Sequence, residues 1–317
     1  DKYLMKEAFL KGGVTCARHI CIHSRAELEN AVEVLNFPVI LKAVDLMGSR
    51  GIFRCDTKEE VFAHYTDTMN ATGKDYCLLE EFIEGTMLGC EAMLSNGKLL
   101  YCLPNNIENY PAYVPTPIGH SVPYKKQDTL GEEVQKQVLL AIQALGMDNC
   151  PVNCDLMEKD GKIYVIEITG RAGGNCLPEM VGIYYGIDYY EAIVRLAMDM
   201  QAEELFQDQK NRFQNAAQRK CGERPENTDG NLNRVTPNLS HILTSDRDGI
   251  LKAIHNDNEA SPDLLDLSFN VEPGEEIRHY ENGRDRLGQV IICGETLDAC
   301  EQRLNEVLSK LNIEFIS

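Results

Sequence analysis

The chain has 317 residues, 43% of them hydrophobic and 26% charged, a composition of ordinary globular protein with length for about two domains. Its net charge of -19 argues against a nucleic-acid or anionic-membrane surface, because both partners are polyanions, while leaving room for a small anion in a local basic pocket. The twelve cysteines are scattered through apolar runs without a CxxC pair, as expected of reduced cytosolic thiols rather than of a disulfide framework or zinc site, and no stretch reaches the ~20 apolar residues of a membrane span.

Residues 1–12 read as a helix, with Tyr3 or Leu4, Ala8 and Leu10 or Lys11 spaced for one face. "SRAELENAVEVL" (24–35) and "TKEEVFAHYTDTM" (57–69) each open on a Ser or Thr cap with Glu three residues on, which predicts two further helices. "FPVILKAV" (37–44) reads as a strand leading into a small loop, "DLMGSRG". "DYCLLEEFI" (75–83) reads as another, running on into 84–104, where "SNGK" marks a hairpin. Residues 104–127, rich in Pro, Asn and Tyr, read as a loop. Helices are expected over 131–146 and from Tyr189 to Phe206. The polar, Gly- and Pro-broken stretch 206–235 reads as a connecting segment. Residues 236–317 read as a small module of short strands and a final helix.

Between these helices, "CPVNCDLMEKDGKIYVIEITGR" (150–171) forms a second hairpin. Alternation places Tyr164, Ile166 and Ile168 on one face of its second strand, and Glu167, Thr169 and Arg171 on the other. A two-residue Asp160-Gly161 turn would pair Asp155 with Ile166 and put the two carboxylates on opposite faces. A three-residue loop would pair Asp155 with Val165 and make Asp155 and Glu167 diagonal neighbours. We expect the three-residue loop, since two carboxylates converging near an arginine suit Mg²⁺ held on phosphate oxygens. Lys42, alone among the apolar residues of "VILKAV", calls for a fixed anionic partner. "GSRG" after it has the small residues of a phosphate-covering loop. No P-loop and no strand–GxGxxG–helix unit occurs.

In order, "DKYLMK", "FPVILKA" with "GSRG", "LLEEFIEG" and "VNCDLM…KIYVIEITGR" resemble the motifs of the ATP-grasp superfamily, over residues 1 to about 200. "LGQVIICGETLDACEQRLNEVL" resembles the C-terminal lobe of biotin-carboxylase-like and amino-acid-ligase-like members. Carboxylate–amine ligases of the L-amino-acid ligase type look nearest. The resemblance implies an α+β chain with an ATP-grasp fold, two α/β subdomains clasping ATP, and a small C-terminal α+β lobe. It would place the grasp domain at 1–205, its smaller lid-like subdomain at about 45–100, the connecting segment at 206–235 and the last lobe at 236–317.

It also implies roles. Lys2 and Lys42 would contact ATP phosphates, and Gly48 and Ser49 would close over them. Glu80, Glu81, Phe82, Ile83 and Glu84 would form the adenine and ribose side. Asp155, Glu167 and Thr169 would bind Mg²⁺ or Mn²⁺, and Arg171 would steady an acyl phosphate. Three departures matter: Met87 stands where many members carry a ribose-binding acid, Thr169 where an Asn is usual, and no N-terminal αβ domain precedes Asp1, so a fragment of a longer protein is expected. The implied activity is ATP-dependent amide or peptide bond formation between small-molecule carboxylate and amine substrates in the cytoplasm. The alternatives are bicarbonate activation, as in biotin carboxylase, and a non-catalytic nucleotide-binding subunit. A homodimer is one assembly compatible with this reading. His120 in "TPIGHSVPY" reads as a turn histidine, Arg284 and Arg286 as solvated, and Glu179 as ambiguous.

Overall fold

The computed structural model describes residues 1–46, 50–111, 116–200, 202–206 and 235–316. Its first element, α1 (Lys2–Gly12), is capped by the Asp1 carboxylate and closed by Gly13 in the left-handed conformation. The face it buries is Lys2, Met5, Lys6 and Phe9, and Leu4 and Leu10 point outward. The expected face of Tyr3 or Leu4, Ala8 and Leu10 or Lys11 is therefore wrong, because the helix turns two lysines inward toward acidic partners.

Four short strands follow, β1 (His19–Ile22), β2 (Val39–Lys42), β3 (Ile52–Cys55) and β4 (Cys77–Glu81), with helices α2 (Arg25–Val34) and α3 (Lys58–Ala71) capped by Ser24 and Thr57. The strands form an antiparallel sheet in the order β1-β4-β2-β3. Val39, Leu41, Cys77 and Leu79 pack against the two helices. Alternation then turns Lys42 and Glu80 to the opposite face. This small sheet begins at His19 and ends at Glu81, earlier at both ends than the 45–100 expected for the smaller subdomain.

The second sheet is larger. It contains β5 (Thr86–Ser95), β6 (Lys98–Tyr110), β7 (Thr116–Val122), β8 (Pro151–Lys159) and β9 (Lys162–Thr169), and gains β10 (Asn238–Leu243), β12 (Leu264–Phe269) and β14 (Gly288–Cys293), in the order β12-β14-β10-β7-β6-β5-β8-β9. The predicted hairpin at Asn96-Gly97 forms, with both residues at positive φ. The loop expected over 104–127 does not: most of it is β6 and β7. Its polar side chains belong to strands whose site-facing surface is polar, not to a turn. One face of this sheet packs on α1 and α4 (Gln127–Ala144) through Met5, Phe9, Val134, Val138, Cys154 and Val165. The other is partly covered by α5 (Leu177–Tyr185) and α6 (Tyr189–Ala197), with Met93, Tyr101, Leu103 and Val122 beneath.

Residues 236–317 do not stand apart from the rest. β10 pairs with β7 from Asn238↔Val122 to His241↔Gly119, because β7 offers an open edge. Helix α7 (Leu297–Ser309) packs between this sheet and a three-stranded one of β11 (Gly249–Asn256), β13 (Glu276–Ile277) and β15 (Leu311–Phe315). Among the described residues ten cysteines are free thiols and Cys293 is disulfide-bonded, which corrects the expectation of thiols that are all reduced. Composition cannot show which sulfurs become neighbours. No helix of the described residues is long and apolar enough to cross a membrane.

Candidate active site

The β8–β9 hairpin closes through a two-residue turn, Asp160 at φ 52 and Gly161 at φ 76, pairing Lys159 with Lys162. The three-residue loop is thus overturned, since Asp-Gly suits the tighter turn whose twist matches the strands. Yet Asp155 and Glu167 share a face. Leu156 pairs with Val165 and Asp155 with Glu167, which leaves Ile166 as the extra residue of a β-bulge. The bulge resets the alternation. Ile163, Val165 and Ile168 lie in the core, and Tyr164 does not accompany Ile168 as expected. Two carboxylates placed directly opposite are closer than the diagonal pair anticipated.

Cross-strand pairing extends this face in two rows. One runs Asn105, Gly89, Asp155, Glu167; the other Leu103, Glu91, Asn153, Thr169. Burial, then the Glu167 charge, pushes Asp155 up to about 6, against the opposing pull of Arg171. The Thr169 hydroxyl donates to the Asn153 carbonyl at 3.4 Å. Among the described residues no group of three or more His, Cys, Asp or Glu side chains could cage a metal alone. The facing pair nonetheless fits a hard cation whose remaining ligands are phosphate oxygens and water.

The lysines join this sheet to the small one. Lys2 Nζ lies 3.3 Å from Glu167 and donates to Leu46 O at 2.7 Å. Lys6 Nζ lies 3.4 Å from Glu80 and donates to Val165 O at 3.2 Å. Lys42 finds its expected anion in Glu80, to which its ammonium donates. Burial lowers the Lys42 pKa and Glu80 opposes that shift. Burial alone would raise Glu80, but Lys42 and Lys6 outweigh it and hold the carboxyl down at about 2, so Glu80 is ionised at neutral pH.

The segment leaving β4 is less committed. Glu81 and Phe82 donate their N–H groups to Arg18 O and Pro38 O, and among the described residues no main-chain hydrogen bond occupies Ile83. The Glu81 carboxylate accepts from Asn36, Glu84 lies 3.8 Å from Arg54, and Arg54 stacks on the Phe82 ring at 4.6 Å. Gly48 and Ser49 lie outside the described residues. Gly51, at the end of that loop, has φ 63 and accepts from Ala43 N.

Arg171 follows β9, exposed, with Nη1 donating to Ala172 O at 2.7 Å. The segment beyond it is pinned twice: Gly173 N donates to Glu91, and Asn175 O accepts from Ser240. A Cβ on Gly173 would lie 2.4 Å from Leu177 Cδ1 and 2.7 Å from Glu91 Oε1. Gly173→Ala should therefore lower stability by ~1–3 kcal/mol through overpacking, read as a lower midpoint in urea at unchanged slope. An unchanged midpoint would show that the segment yields.

Two residues escaped sequence reasoning, Lys6 and Glu91. Glu91 is fully buried, accepts from Asn153 at 2.7 Å and Gly173 at 3.1 Å, and burial pushes its pKa up to about 8. It lies in the apolar run "LGCEAML", so the signal that singled out Lys42 would have found it. His120 lies in β7, not in a turn. It is buried with Nδ1 2.9 Å from Asn105 Oδ1, and burial lowers its pKa to about 4. Glu179 accepts from the Tyr190 hydroxyl, and Arg284 is exposed as expected.

Comparison with known proteins bears on this geometry. Residues 35–179 match a family model described as an ATP-grasp domain, and residues 241–315 one described as L-amino acid ligase C-terminal domain 2. The chain is 38% identical to phosphoribosylglycinamide synthetase from Anaerococcus prevotii, with a TM-score of 0.75 over 100% of this chain and 74% of that one. L-amino acid ligase from Bacillus licheniformis, 18% identical, shares the fold with a TM-score of 0.78 over 100% and 72% of the two chains. D-alanine–D-alanine ligase from Lactococcus lactis subsp. cremoris is 23% identical over 219 residues, 63% of this chain and 61% of that protein. The chain thus spans less than two thirds of that relative's length. Two facing carboxylates, buried lysines that join two sheets and these matches to both parts of the sequence lead to one assignment: the chain belongs to the ATP-grasp superfamily of ligases.

Proposed function

We propose that this chain carries the nucleotide site of a cytoplasmic carboxylate–amine ligase that forms an amide or peptide bond at the expense of ATP. The observation that supports it most is the facing pair Asp155–Glu167, with Lys2 against one carboxylate and the Arg171 charge acting on the other. Asp155 and Glu167, with the Thr169 oxygen beside them, would hold Mg²⁺ or Mn²⁺. The bound ion would neutralise phosphate charge as phosphoryl transfer proceeds.

Lys2 and Lys42 exchange part of their present contacts for phosphate oxygens. Ile83 main-chain groups and the neighbouring Glu80, Glu81, Phe82 and Glu84 form the wall for adenine and ribose. A substrate carboxylate oxygen attacks the γ-phosphorus and ADP leaves. The amine nitrogen then attacks the acyl carbon, and phosphate and a proton are released. Arg171 steadies the negative charge of the acyl phosphate, so the protein acts mainly by placement and charge neutralisation. Residues 1–205 supply the nucleotide side, 236–317 the wall beyond β7, and 206–235 the connection.

The test is ADP and phosphate release from MgATP with a panel of amino acids, against bicarbonate, using the whole protein. Release that requires an amino-acid pair supports the ligase. Release that requires bicarbonate moves the assignment to carboxylation, and nucleotide binding without release under any condition moves it to a regulatory subunit.

A further inference from the structure

Lys6 is 0% exposed, on the α1 face that also buries Lys2, one turn away. Ammonium groups are rarely buried so completely without a structural task. Its two partners lie in different sheets. One is Glu80 of β4, already paired with Lys42. The other is the main-chain oxygen of Val165, the residue just before the bulge at Ile166.

That oxygen lies on the free edge of β9, which ends the eight-stranded sheet. The Val165 N–H on the same residue donates to Thr15 O at 2.8 Å. Both main-chain groups of Val165 are therefore held by α1 and the chain leaving it. Burial of Ile168 favours a bulge somewhere in β9, since flush pairing from the Asp160-Gly161 turn would turn Ile168 outward. Burial does not say where the extra residue sits. A bulge displaced by one pair toward Thr169 would aim Glu167 into the core.

We propose that Lys6 is a positioning residue for the metal pair: by gripping Val165 it fixes the bulge at Ile166, which brings Glu167 opposite Asp155, and by gripping Glu80 it ties that strand to the small sheet. Nucleotide and metal do not touch it. The proposal rests on the Mg-nucleotide reading of the site.

The experiment measures Mn²⁺ binding to the ADP-bound whole protein, through loss of the free Mn²⁺ resonance signal, and ADP binding without metal. Lys6→Met keeps length and apolar volume but removes the donor, and Lys42 still neutralises Glu80. The expected result is about a tenfold loss of Mn²⁺ affinity, as for other residues that orient a metal ligand, with metal-free ADP binding changed less than about twofold. Lys6→Arg, which restores a charged donor, should recover most of the loss. A residue that only fills space would not show this rescue.

Deleting Ile166 tests the route. It lets Asp155 meet Glu167 in flush register, so Lys6→Met in that chain should leave Mn²⁺ affinity within about twofold of the deletion alone. An equal tenfold loss there, or unchanged affinity in Lys6→Met itself, overturns the proposal. If Lys6→Met does not fold, the Lys6→Arg chain decides: Mn²⁺ affinity within about threefold of wild type supports the proposal, and a larger loss overturns it. A wild-type protein that binds no Mn²⁺ with ADP overturns the nucleotide reading, and the proposal with it.

Discussion

Lys42→Ala weakens ATP binding ten- to hundredfold, the equivalent of ~1.5–3 kcal/mol for a charge-assisted contact in a partly dry site. Calorimetric titration with ATP checks this, and unchanged affinity in a folded variant would remove Lys42 from the phosphate site. The fold itself should survive, because Glu80 keeps Lys6 as a counterion at 3.4 Å. Glu80→Gln should behave in the opposite manner. It leaves two buried ammonium groups without their carboxylate, a loss on the order of 3–5 kcal/mol, read as a large fall in the denaturation midpoint.

The cluster also sets an acid limit. Glu80 is lowered from an ordinary 4.5 to about 2, so its contribution is fully present above pH 4.5 and is lost as pH falls through that range toward 2. The shift corresponds to about 3 kcal/mol. Glu80→Gln should flatten this part of the stability–pH curve.

Arg171→Lys should leave MgATP affinity nearly intact and lower turnover on the order of a hundredfold, the scale of losing one preorganised donor. The guanidinium is exposed and, among the described residues, its one hydrogen-bond partner is Ala172 O, while its charge acts on both Asp155 and Glu91. It is therefore free to turn toward a phosphoryl group. Lysine keeps the charge but cannot present two parallel N–H donors to one phosphate. Nucleotide affinity measured beside substrate-dependent ADP release separates the cases. A parallel fall in both would make Arg171 a ground-state ligand of ATP, and no fall in either would make it a solvated residue at the end of β9.

Much of this site was legible because its charges interrupt apolar runs. Lys42 in "VILKAV" demanded an anion, and Glu80 supplies it. Glu91 interrupts "LGCEAML" in the same way, and its partners are Asn153 and Gly173. The capped helices α2 and α3 were legible because Ser24 and Thr57 have local partners within one turn. The hairpin register was not, because alternation records faces and not an inserted residue. A wrong turn and an unseen bulge displaced the pairing in opposite senses, and the facing carboxylates emerged from both. The inward lysines of α1 were hidden because their partners, Glu80, Glu167 and Val165, lie far along the chain. The strands within 104–127 read as a loop in the sequence because a polar site-facing surface has the composition of a turn.

The pairing of β10 with β7 has a consequence for how the molecule can be built and divided. Strands from residues 238–293 continue the sheet begun by residues 86–169, so a chain stopped near residue 206 would leave β7 as a bare edge with unpaired main-chain groups. Such an edge invites pairing with another molecule. The first two thirds of the sequence cannot cover the β7 edge on the ribosome until the last third has emerged. Protection for that interval has to come from delay, a chaperone or a temporary partner. The two parts that sequence composition divides at a polar segment share one sheet, and recombination between relatives would have to exchange β7 and β10 together.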